Sequence, residues 1–442
     1  MPKTELRAPV WALSGAALGA LLVALAIVYP SIVADDVRVH WPPLHADWMP
    51  RFGRGALLPI VVGLLVLVGW RRLTDRLPWP LFLAAGFVAS WAWTMALAST
   101  DGSVGVSRVF ERKGEYLFGA RDITSIPVMI DQYVSRIPMD APDNWYIHVA
   151  GHPPGALLIF VLLDRLGISE PYELGVVVVT LAVTAVVAGC IVVKALSGEE
   201  LARRVAPWWI LAPAAIWVGV SGDAVFTAVA AWGFALLAVS ATTARRPAMI
   251  ASALGAGLLL GLCAYLSYGL PLLGIVAVGV LYAAGRWSPL PWALGGALVV
   301  AAVFTVAGFA WWEAYPVLRE RYLDGIASTR PYSYWVWANL AAWTLGVGLA
   351  TWAAFPRAVS ALRDRTAPGP RRLAVVGLSG VACILVATLS GMSKAEVERI
   401  WLPFTFWALM LPALLPERWQ RPLLATQVVI AVLVQQLLLT RW

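Results

Sequence analysis

Apolar runs of about twenty residues recur along almost the whole chain, and they limit its fold more than any other feature of the sequence. The first is Trp11–Val33, and others begin near Pro80, Leu174, Ala248 and Leu373. As α-helices, runs of this length cross about 30 Å of hydrocarbon. Only 13% of the 442 residues are charged, against about a quarter in a soluble domain. The sequence therefore predicts an all-α polytopic membrane protein, because β-barrel strands would show short alternating segments.

We expect a single membrane domain over residues 1–442, because no polar stretch exceeds about fifty residues. Lys and Arg in short loops mark the cytoplasmic side, which places the N-terminus and the loop around Arg71 inside. The sequence contains fourteen apolar segments. A count from the N-terminus and a count back from the basic loop 357–372, also expected inside, disagree by one crossing, so one of the fourteen segments is not a full span. Pro153–Leu166 is the shortest segment and the best candidate for an incomplete span. The sequence predicts about 13 transmembrane helices, with the C-terminus outside.

Two polar segments fall outside the cytoplasm in this topology: the long loop 101–152 and a second loop, 311–334. The net charge of +8 comes from short basic loops, a pattern typical of membrane topology rather than of nucleic-acid binding. We therefore expect membrane lipids as partners, no nucleic acid, and a multi-pass location in the plasma membrane. Cys190, Cys263 and Cys383 lie inside apolar runs and are expected to be small buried side chains without a metal.

Asp101 follows an apolar span directly and precedes Gly102, at the start of the long outside loop. Ionisable groups held at the surface of a membrane protein are often functional. A carboxylate fixed at a helix end can act as a general base, and Asp101 is our candidate catalytic residue. The other interpretation is a local Asp-Gly turn. Asp35 and Asp36 follow the first span in a similar way and are alternative positions for the base.

The run His152-Pro153-Pro154-Gly155 is typical of a helix start, because proline suits the first helical turn. Free N–H groups at a helix N-terminus favour phosphate, and His152 precedes them as a possible donor to an anion. Lys394 and Arg399 lie just before a late apolar segment, where Arg can hold a lipid phosphate. Each feature also fits a plain helix start or an interfacial ion pair. The possible substrate pocket comprises Glu115, Tyr116, His148, Asp223, Tyr268 and Glu398.

The layout resembles the GT-C superfamily of membrane glycosyltransferases, which includes protein O-mannosyltransferases. The resemblance is carried by Asp101, by His152-Pro153-Pro154-Gly155 and by the segment from Lys394 to Trp401. It implies a GT-C-like fold with a long extracytoplasmic catalytic loop. It also implies an inverting transfer of a hexosyl or pentosyl unit, for example mannose, from a polyprenyl-phosphate sugar to a lipid, glycan or protein. The chain departs from the usual pattern, because two further spans precede Asp101 and an Asp-Gly pair replaces the acidic pair.

No cofactor is expected beyond the polyprenyl-phosphate donor, and a divalent metal stays an open question because the acidic pair is absent. The alternative class is a multi-pass transporter or flippase of a lipid-linked or anionic substrate. A transporter would place ionisable residues near the bilayer midplane and show two related halves. Here the charges concentrate in outside loops, and no internal repeat is visible. The sequence therefore favours an enzyme of the cell envelope.

Overall fold

The computed structural model describes residues 8–33, 36–219 and 221–440, and these are helical almost throughout. The first half of the described chain contains α1 Ala8–Val33, α2 Leu57–Thr74, α3 Trp79–Ala98, α4 Val104–Ser107, α5 Tyr116–Arg121, α6 Ile126–Asp131, α7 Ile147–Ala150, α8 Pro154–Arg165, α9 Pro171–Ser197, α10 Glu199–Ile210 and α11 Ala215–Val218. The second half contains α12 Gly222–Thr242, α13 Arg246–Leu266, α14 Gly274–Ala284, α15 Leu290–Val306, α16 Trp311–Asp324, α17 Tyr332–Val347, α18 Leu349–Arg363, α19 Pro368–Leu389, α20 Val397–Ile400, α21 Leu402–Ala408 and α22 Glu417–Leu437. Strands β1 (Ala46–Trp48) and β2 (Leu438–Thr440) form one antiparallel pair, with Ala46 opposite Thr440.

Seven of the described helices are long and apolar enough to cross a membrane, or up to nine if each of two bent pairs is one span. Shorter apolar helices cover Leu270–Ala284 and Leu402–Leu414, and the segment Pro153–Leu166 forms the 12-residue helix α8. The all-α polytopic membrane fold is therefore confirmed. The sequence-based number of about 13 crossings includes several helices that are too short to span a bilayer unaided.

The bundle is built around α12, which packs mainly against α9 and α13 and is the most buried of the long apolar helices in the described ranges. By contrast, α1 lies at the periphery and exposes large apolar side chains such as Leu18, Leu21 and Leu25. An exposed apolar helix is a liability in water, whereas acyl chains solvate it. The exposed surface of α1 therefore fits a lipid-facing position.

Helices α13 and α15 cross closely, because small residues meet at their contact. A Cβ atom built on Gly296 would lie 2.9 Å from the backbone nitrogen of Leu258 in α13. The neighbouring Gly295 has nothing within 4 Å of its Cβ position. Small residues allow membrane helices to approach each other backbone to backbone, and Gly296 is one of the residues that set this distance.

We expect Gly296→Ala to destabilise the protein by about 1–3 kcal/mol, because the methyl group would overpack a rigid backbone contact. Gly295→Ala is the matched control, since the same change on the same helix meets open space and should gain up to about 1 kcal/mol from helix propensity. Thermal melting of both variants in detergent measures the difference. Equal melting temperatures would show that α13 and α15 do not pack as described.

One end of the bundle, called the site face here, gathers segments that are far apart in the sequence. Arg51 contacts Asp101, His45 contacts Glu396, and β1 pairs with β2. Helix α16 lies at the same end, since Arg321 donates to the backbone carbonyls of residues 137 and 145. The axis of α16 turns by 73° from that of α15, so the predicted second loop 311–334 is largely a helix lying across the site face.

The opposite end, called the arginine face here, is closed by hydrogen bonds from arginine to backbone carbonyls. Arg203 donates to Thr74 and Leu77 at 2.6 and 2.8 Å, and Arg372 donates to Leu196 at 3.0 Å. The helix ends and the short connections at this face carry Arg71, Arg72, Arg76, Arg245, Arg246, Arg286, Arg357, Arg363, Arg365, Arg371, Arg418 and Arg421. The basic loops that we expected inside therefore lie together, opposite the loop 101–152.

Candidate functional site

The loop 101–152 is folded as four short helices, α4 to α7, joined by ordered turns. Tyr133 holds the C-terminal end of this loop in place. The hydroxyl of Tyr133 donates to the carbonyls of Val149 at 2.8 Å and His152 at 3.0 Å. The indole of Trp145 donates in turn to the carbonyl of Tyr133 at 2.9 Å. This buried network fixes where α7 ends and α8 begins, and with that the position of His152.

Asp101 does not join the cluster around His152. Its Oδ2 accepts from Arg51 at 2.6 Å and from Arg108 at 2.7 Å. Arg51 also donates to the carbonyls of Gln435 in α22 and of Leu438 in β2. A carboxylate held by two guanidinium groups is poorly placed to accept a further proton. Asp101 was our sequence-based candidate for the base. In the structure it instead connects the long loop to the last helix through Arg51.

We expect Asp101→Asn to lower the stability of the folded protein by about 2 kcal/mol, because charge-assisted hydrogen bonds from two arginines are lost. Asp36→Asn is a suitable control, since Asp36 is exposed and pairs with Arg38 on the surface, where such pairs contribute little. Thermal melting measures the effect. Normal melting of Asp101→Asn together with a loss of turnover of a hundredfold or more would restore Asp101 as the base. The alternative position Asp35 lies outside the described residues.

The centre of the site is a buried ion pair between two helix ends. Arg399 of α20 donates to Oδ2 of Asp223 at the start of α12, at 2.7 Å, and both side chains are less than a tenth exposed. Asp223 also accepts from the hydroxyl of Ser221, whose oxygen in turn caps α12 by accepting from the amide of Asp223. Further hydrogen bonds of this kind help a buried pair to offset the loss of solvation of its charges. Burial opposes the charge of Arg399, but Asp223 and Glu396 outweigh it and raise the pKa of its guanidinium.

Glu396 is surrounded by three basic side chains. It lies 3.3 Å from Nδ1 of His45, 3.6 Å from Arg330 and 3.8 Å from Arg399. Burial alone would raise its pKa, but the hydrogen bond from His45 and the charges of the two arginines lower the pKa of Glu396 to about 2. Ala395 and Glu396 have φ angles of 69° and 62°, which non-glycine residues rarely adopt. Such strain tends to persist at functional sites.

Two histidines lie beside this ion cluster. His148 Nε2 is 3.4 Å from Oε1 of Glu115, in surroundings where both side chains are largely buried. Burial, followed by the charge of Arg399, lowers the pKa of His148 to about 3, while burial raises the pKa of Glu115 to about 7. Near neutral pH His148 is therefore uncharged, and Glu115 holds a proton part of the time.

His152 donates through Nδ1 to the carbonyl of His148 at 2.8 Å. Burial lowers its pKa below the ordinary value, and Asp223 opposes that shift. A neutral imidazole that donates through Nδ1 carries a lone pair on Nε2. His152 thus presents an acceptor, whereas the sequence-based interpretation had it donating to an anion.

The remaining predicted pocket residues divide into two groups. Tyr116 is buried beside His152, with ring centroids 5.8 Å apart, and stacks on Phe160 at 4.7 Å. Glu398 is buried next to Arg399, and within the described chain no other residue donates a hydrogen bond to its carboxyl oxygens. Burial raises the pKa of Glu398 to about 8. Tyr268 lies apart from the cluster and packs against Trp311 and Tyr315.

A cavity of about 280 Å³ opens between α7, α16 and the segment before α20. Among the predicted residues, His148, His152, Lys394 and Arg399 line it. Sequence reasoning did not assign Glu396, Arg321, Tyr322 or Arg330 to the site, and they also line it. Glu396 and Arg330 were visible in the charged clusters near Lys394 and in the loop 311–334, but the sequence does not show that these clusters meet.

Lys394 and Arg330 are held in the cavity wall by the backbone. Nζ of Lys394 donates to the carbonyl of Ala327 at 3.0 Å, and Arg330 donates to the carbonyl of Lys394 at 2.7 Å. The cavity wall carries four permanent cations and one carboxylate, together with apolar side chains including Ile147, Leu318, Ile326 and Ile400. Such a wall suits a molecule with an anionic group and an apolar part. In the described ranges no three His, Cys, Asp or Glu side chains converge on a possible metal position.

The sequence matches no protein-family model. A search of curated proteins likewise gives no match. Three chains of solved structures match the fold, among them that of ArnT from Cupriavidus metallidurans in the apo state. That match has a TM-score of 0.47 and 14% sequence identity, and it covers 76% of this chain and 59% of the ArnT chain. The chain therefore spans less than two thirds of the length of ArnT.

Proposed function

We propose that this protein is a membrane glycosyltransferase of the GT-C type that moves a sugar from a polyprenyl-phosphate donor to an acceptor hydroxyl. The observation that carries the proposal is the cavity at the end of the apolar bundle, with Arg321, Arg330, Lys394 and Arg399 in its wall. A guanidinium offers a phosphate two parallel donors, and an ammonium adds a point charge. This arrangement suits a phosphate at head-group depth.

The apolar rim of the cavity supports a lipid-linked donor. Met139, Ile147 and Ile326 line the cavity and are more than half exposed. Apolar side chains exposed around a charged pocket mark a binding surface. A polyprenyl chain would lie along this rim in contact with the bilayer, while its phosphate reaches the cations inside.

The chemistry needed for such a transfer fits the charges of the site. The acceptor oxygen attacks the anomeric carbon, the bond from that carbon to the phosphate oxygen breaks, and the electron pair leaves with the phosphate. The phosphate gains negative charge as it leaves, and preorganised cations stabilise that charge best in the transition state. Arg399 is held for this task by Asp223, and Arg330 by the backbone of Lys394.

The sugar is a hexose or a pentose, with mannose as one example, and the acceptor is a lipid, a glycan or a protein. The test is a transfer assay in proteoliposomes with radiolabelled polyprenyl-phosphate sugars and acceptors of the three classes. We expect label to move from the donor to one acceptor class. Movement of intact donor across the bilayer without sugar transfer would instead support the alternative, a transporter or flippase.

We further propose that the site face lies outside the cytoplasm, at the plasma membrane. The arginine face supports this placement, because arginine in short loops favours the cytoplasmic side. Ser103 is exposed at the site face and Ser288 at the opposite end. An impermeant thiol reagent on intact cells should label Ser103→Cys and leave Ser288→Cys unlabelled. The reverse pattern would invert the topology and contradict the location.

A further inference from the structure

His152 is fixed in one tautomer by the backbone. Within the described part of the chain its ring makes one hydrogen bond, from Nδ1 to the carbonyl of His148 at 2.8 Å. A carbonyl oxygen can only accept, so Nδ1 carries the proton, and Nε2 of the neutral ring has a free lone pair. His152 also lines the site cavity. A ring that lines the cavity therefore carries a basic nitrogen that accepts no hydrogen bond within the described part of the chain.

Asp223 makes this nitrogen a better proton acceptor. Its Oδ1 lies 4.0 Å from Nε2 of His152, too far for a hydrogen bond but close for a charge interaction. In the neutral state, the lone pair of Nε2 and the carboxylate of Asp223 lie on either side of this gap without a proton between them. The imidazolium that then forms is stabilised by the carboxylate.

The ring is held firmly by its neighbours. Tyr116 and Phe226 lie against it, with ring centroids 5.8 and 5.9 Å away. The hydroxyl of Tyr133 donates to the backbone carbonyl of His152 at 3.0 Å. Proton transfer needs a base that is held within hydrogen-bond reach of its target, and these contacts restrict the ring to one orientation.

Three carboxylates of the site face, those of Glu396, Asp101 and Asp223, are less suited to the same role. Glu396 is the carboxylate in the cavity wall, and His45, Arg330 and Arg399 surround it. A carboxylate whose pKa is held near 2 by these neighbours is a weak base. Asp101 is held between two arginines, and Asp223 is paired with Arg399.

We propose that Nε2 of His152 is the general base that takes the proton of the acceptor hydroxyl, an inference that rests on the proposed glycosyl transfer. The acceptor O–H bond breaks as its oxygen forms a bond to the anomeric carbon. The proton goes to Nε2. The bond between the anomeric carbon and the phosphate oxygen also breaks, and its electron pair leaves with the donor phosphate. Asp223 stabilises the imidazolium, which releases the proton to water after the products leave.

The pH dependence follows from the groups around the ring. Asp223 of α12 favours the charged ring, Arg399 of α20 disfavours it, and His148 of α7 and Tyr116 of α5 lie against it. Burial is the largest influence and lowers the pKa of His152 below 6.5. The active, neutral form therefore predominates at pH 7, and kcat should fall on the acid side as the ring takes a proton.

The test measures kcat, donor dissociation and melting temperature in the same proteoliposome assay. We expect His152→Gln to lower kcat by about 10²–10⁴-fold while donor binding stays close to that of the wild type. In His152→Ala, added imidazole should restore part of the lost kcat. The exposed residue His40 pairs with Asp47 away from the cavity, and His40→Gln is the control that should keep full activity.

The outcomes separate the two proposals. If the wild type transfers sugar and the His152→Gln variant has the same kcat, His152 is not the general base, whereas the proposed glycosyltransferase activity stands. Absence of transfer by the wild type to every acceptor class would overturn both. Should His152→Gln fail to fold, the wild-type pH profile decides, because a kcat that does not fall in acid contradicts a histidine base.

Discussion

Replacing Arg399 by alanine should abolish sugar transfer and cost about 3–5 kcal/mol of stability, because it leaves the buried carboxylate of Asp223 without its counter-charge. Arg399 and Asp223 meet at 2.7 Å with both side chains buried. Glu396 would lose one of its basic neighbours as well. Transfer assays give the loss of activity, and thermal melting gives the loss of stability.

Two further variants separate folding from chemistry at Arg399. The double variant Asp223→Asn with Arg399→Gln removes both charges, so it should regain much of the stability and none of the transfer. Arg399→Lys should retain partial donor binding, because an ammonium lacks the forked donors of guanidinium. Arg319 is exposed on α16, and Arg319→Ala serves as the control for removing a positive charge at the same face. Full transfer by Arg399→Ala would exclude Arg399 from the donor site.

Two neighbouring glutamates should respond in opposite directions to the same substitution. At pH 7 we expect Glu396→Gln to destabilise the protein by about 3 kcal/mol, because a carboxylate with a strongly lowered pKa favours the folded state when ionised. Glu398→Gln should stabilise the protein by roughly 2–3 kcal/mol at pH 7, because burial raises the pKa of Glu398 to about 8 and the wild type must keep that carboxyl protonated. Melting curves in detergent measure both effects.

The stability of the protein should depend on pH in a different way for each glutamate. The folded pKa of Glu396 is about 2, below its ordinary value of 4.5, so its stabilising effect is complete above pH 4.5 and disappears as the pH falls toward 2. The folded pKa of Glu398 is about 8, above 4.5. The stability that its protonated form gives is complete below pH 4.5 and is lost as the pH rises through 8. A Glu398→Gln advantage that does not grow between pH 5 and pH 8 would contradict a buried, protonated carboxyl.

The apolar runs predicted the helices well, because a stretch such as Leu174–Leu196 has one stable conformation in hydrocarbon. Bends were harder to predict. Helices α17 and α18 meet at 102°, and Gly348 between them has a φ of 75°, a conformation in which glycine is favoured. The sequence shows the glycine in an apolar run but does not indicate that the chain turns there.

The candidate site was predicted in separate pieces. His152, Arg399 and Asp223 each stood out, because a polar residue next to an apolar run is conspicuous. Their meeting depends on contacts between helices that are far apart in the sequence, and a single sequence does not reveal such contacts. Asp101 failed to join them for the same reason, since its partners Arg51 and Arg108 are ordinary surface residues until the fold is known.

The pairing of β1 with β2 has a consequence for folding during synthesis, because the two strands lie far apart in the sequence. Thr440 lies opposite Ala46, next to His45, which contacts Glu396. Residues 438–440 are synthesised after all the helices described. During synthesis, β1 therefore has no partner strand until these residues have been made. The strand that carries the neighbour of His45, and with it the contact of His45 to Glu396 in the cavity wall, is therefore completed only after this segment has been translated. An incomplete chain inserted in the membrane would carry the cationic residues of the site before the strand next to His45 has its partner.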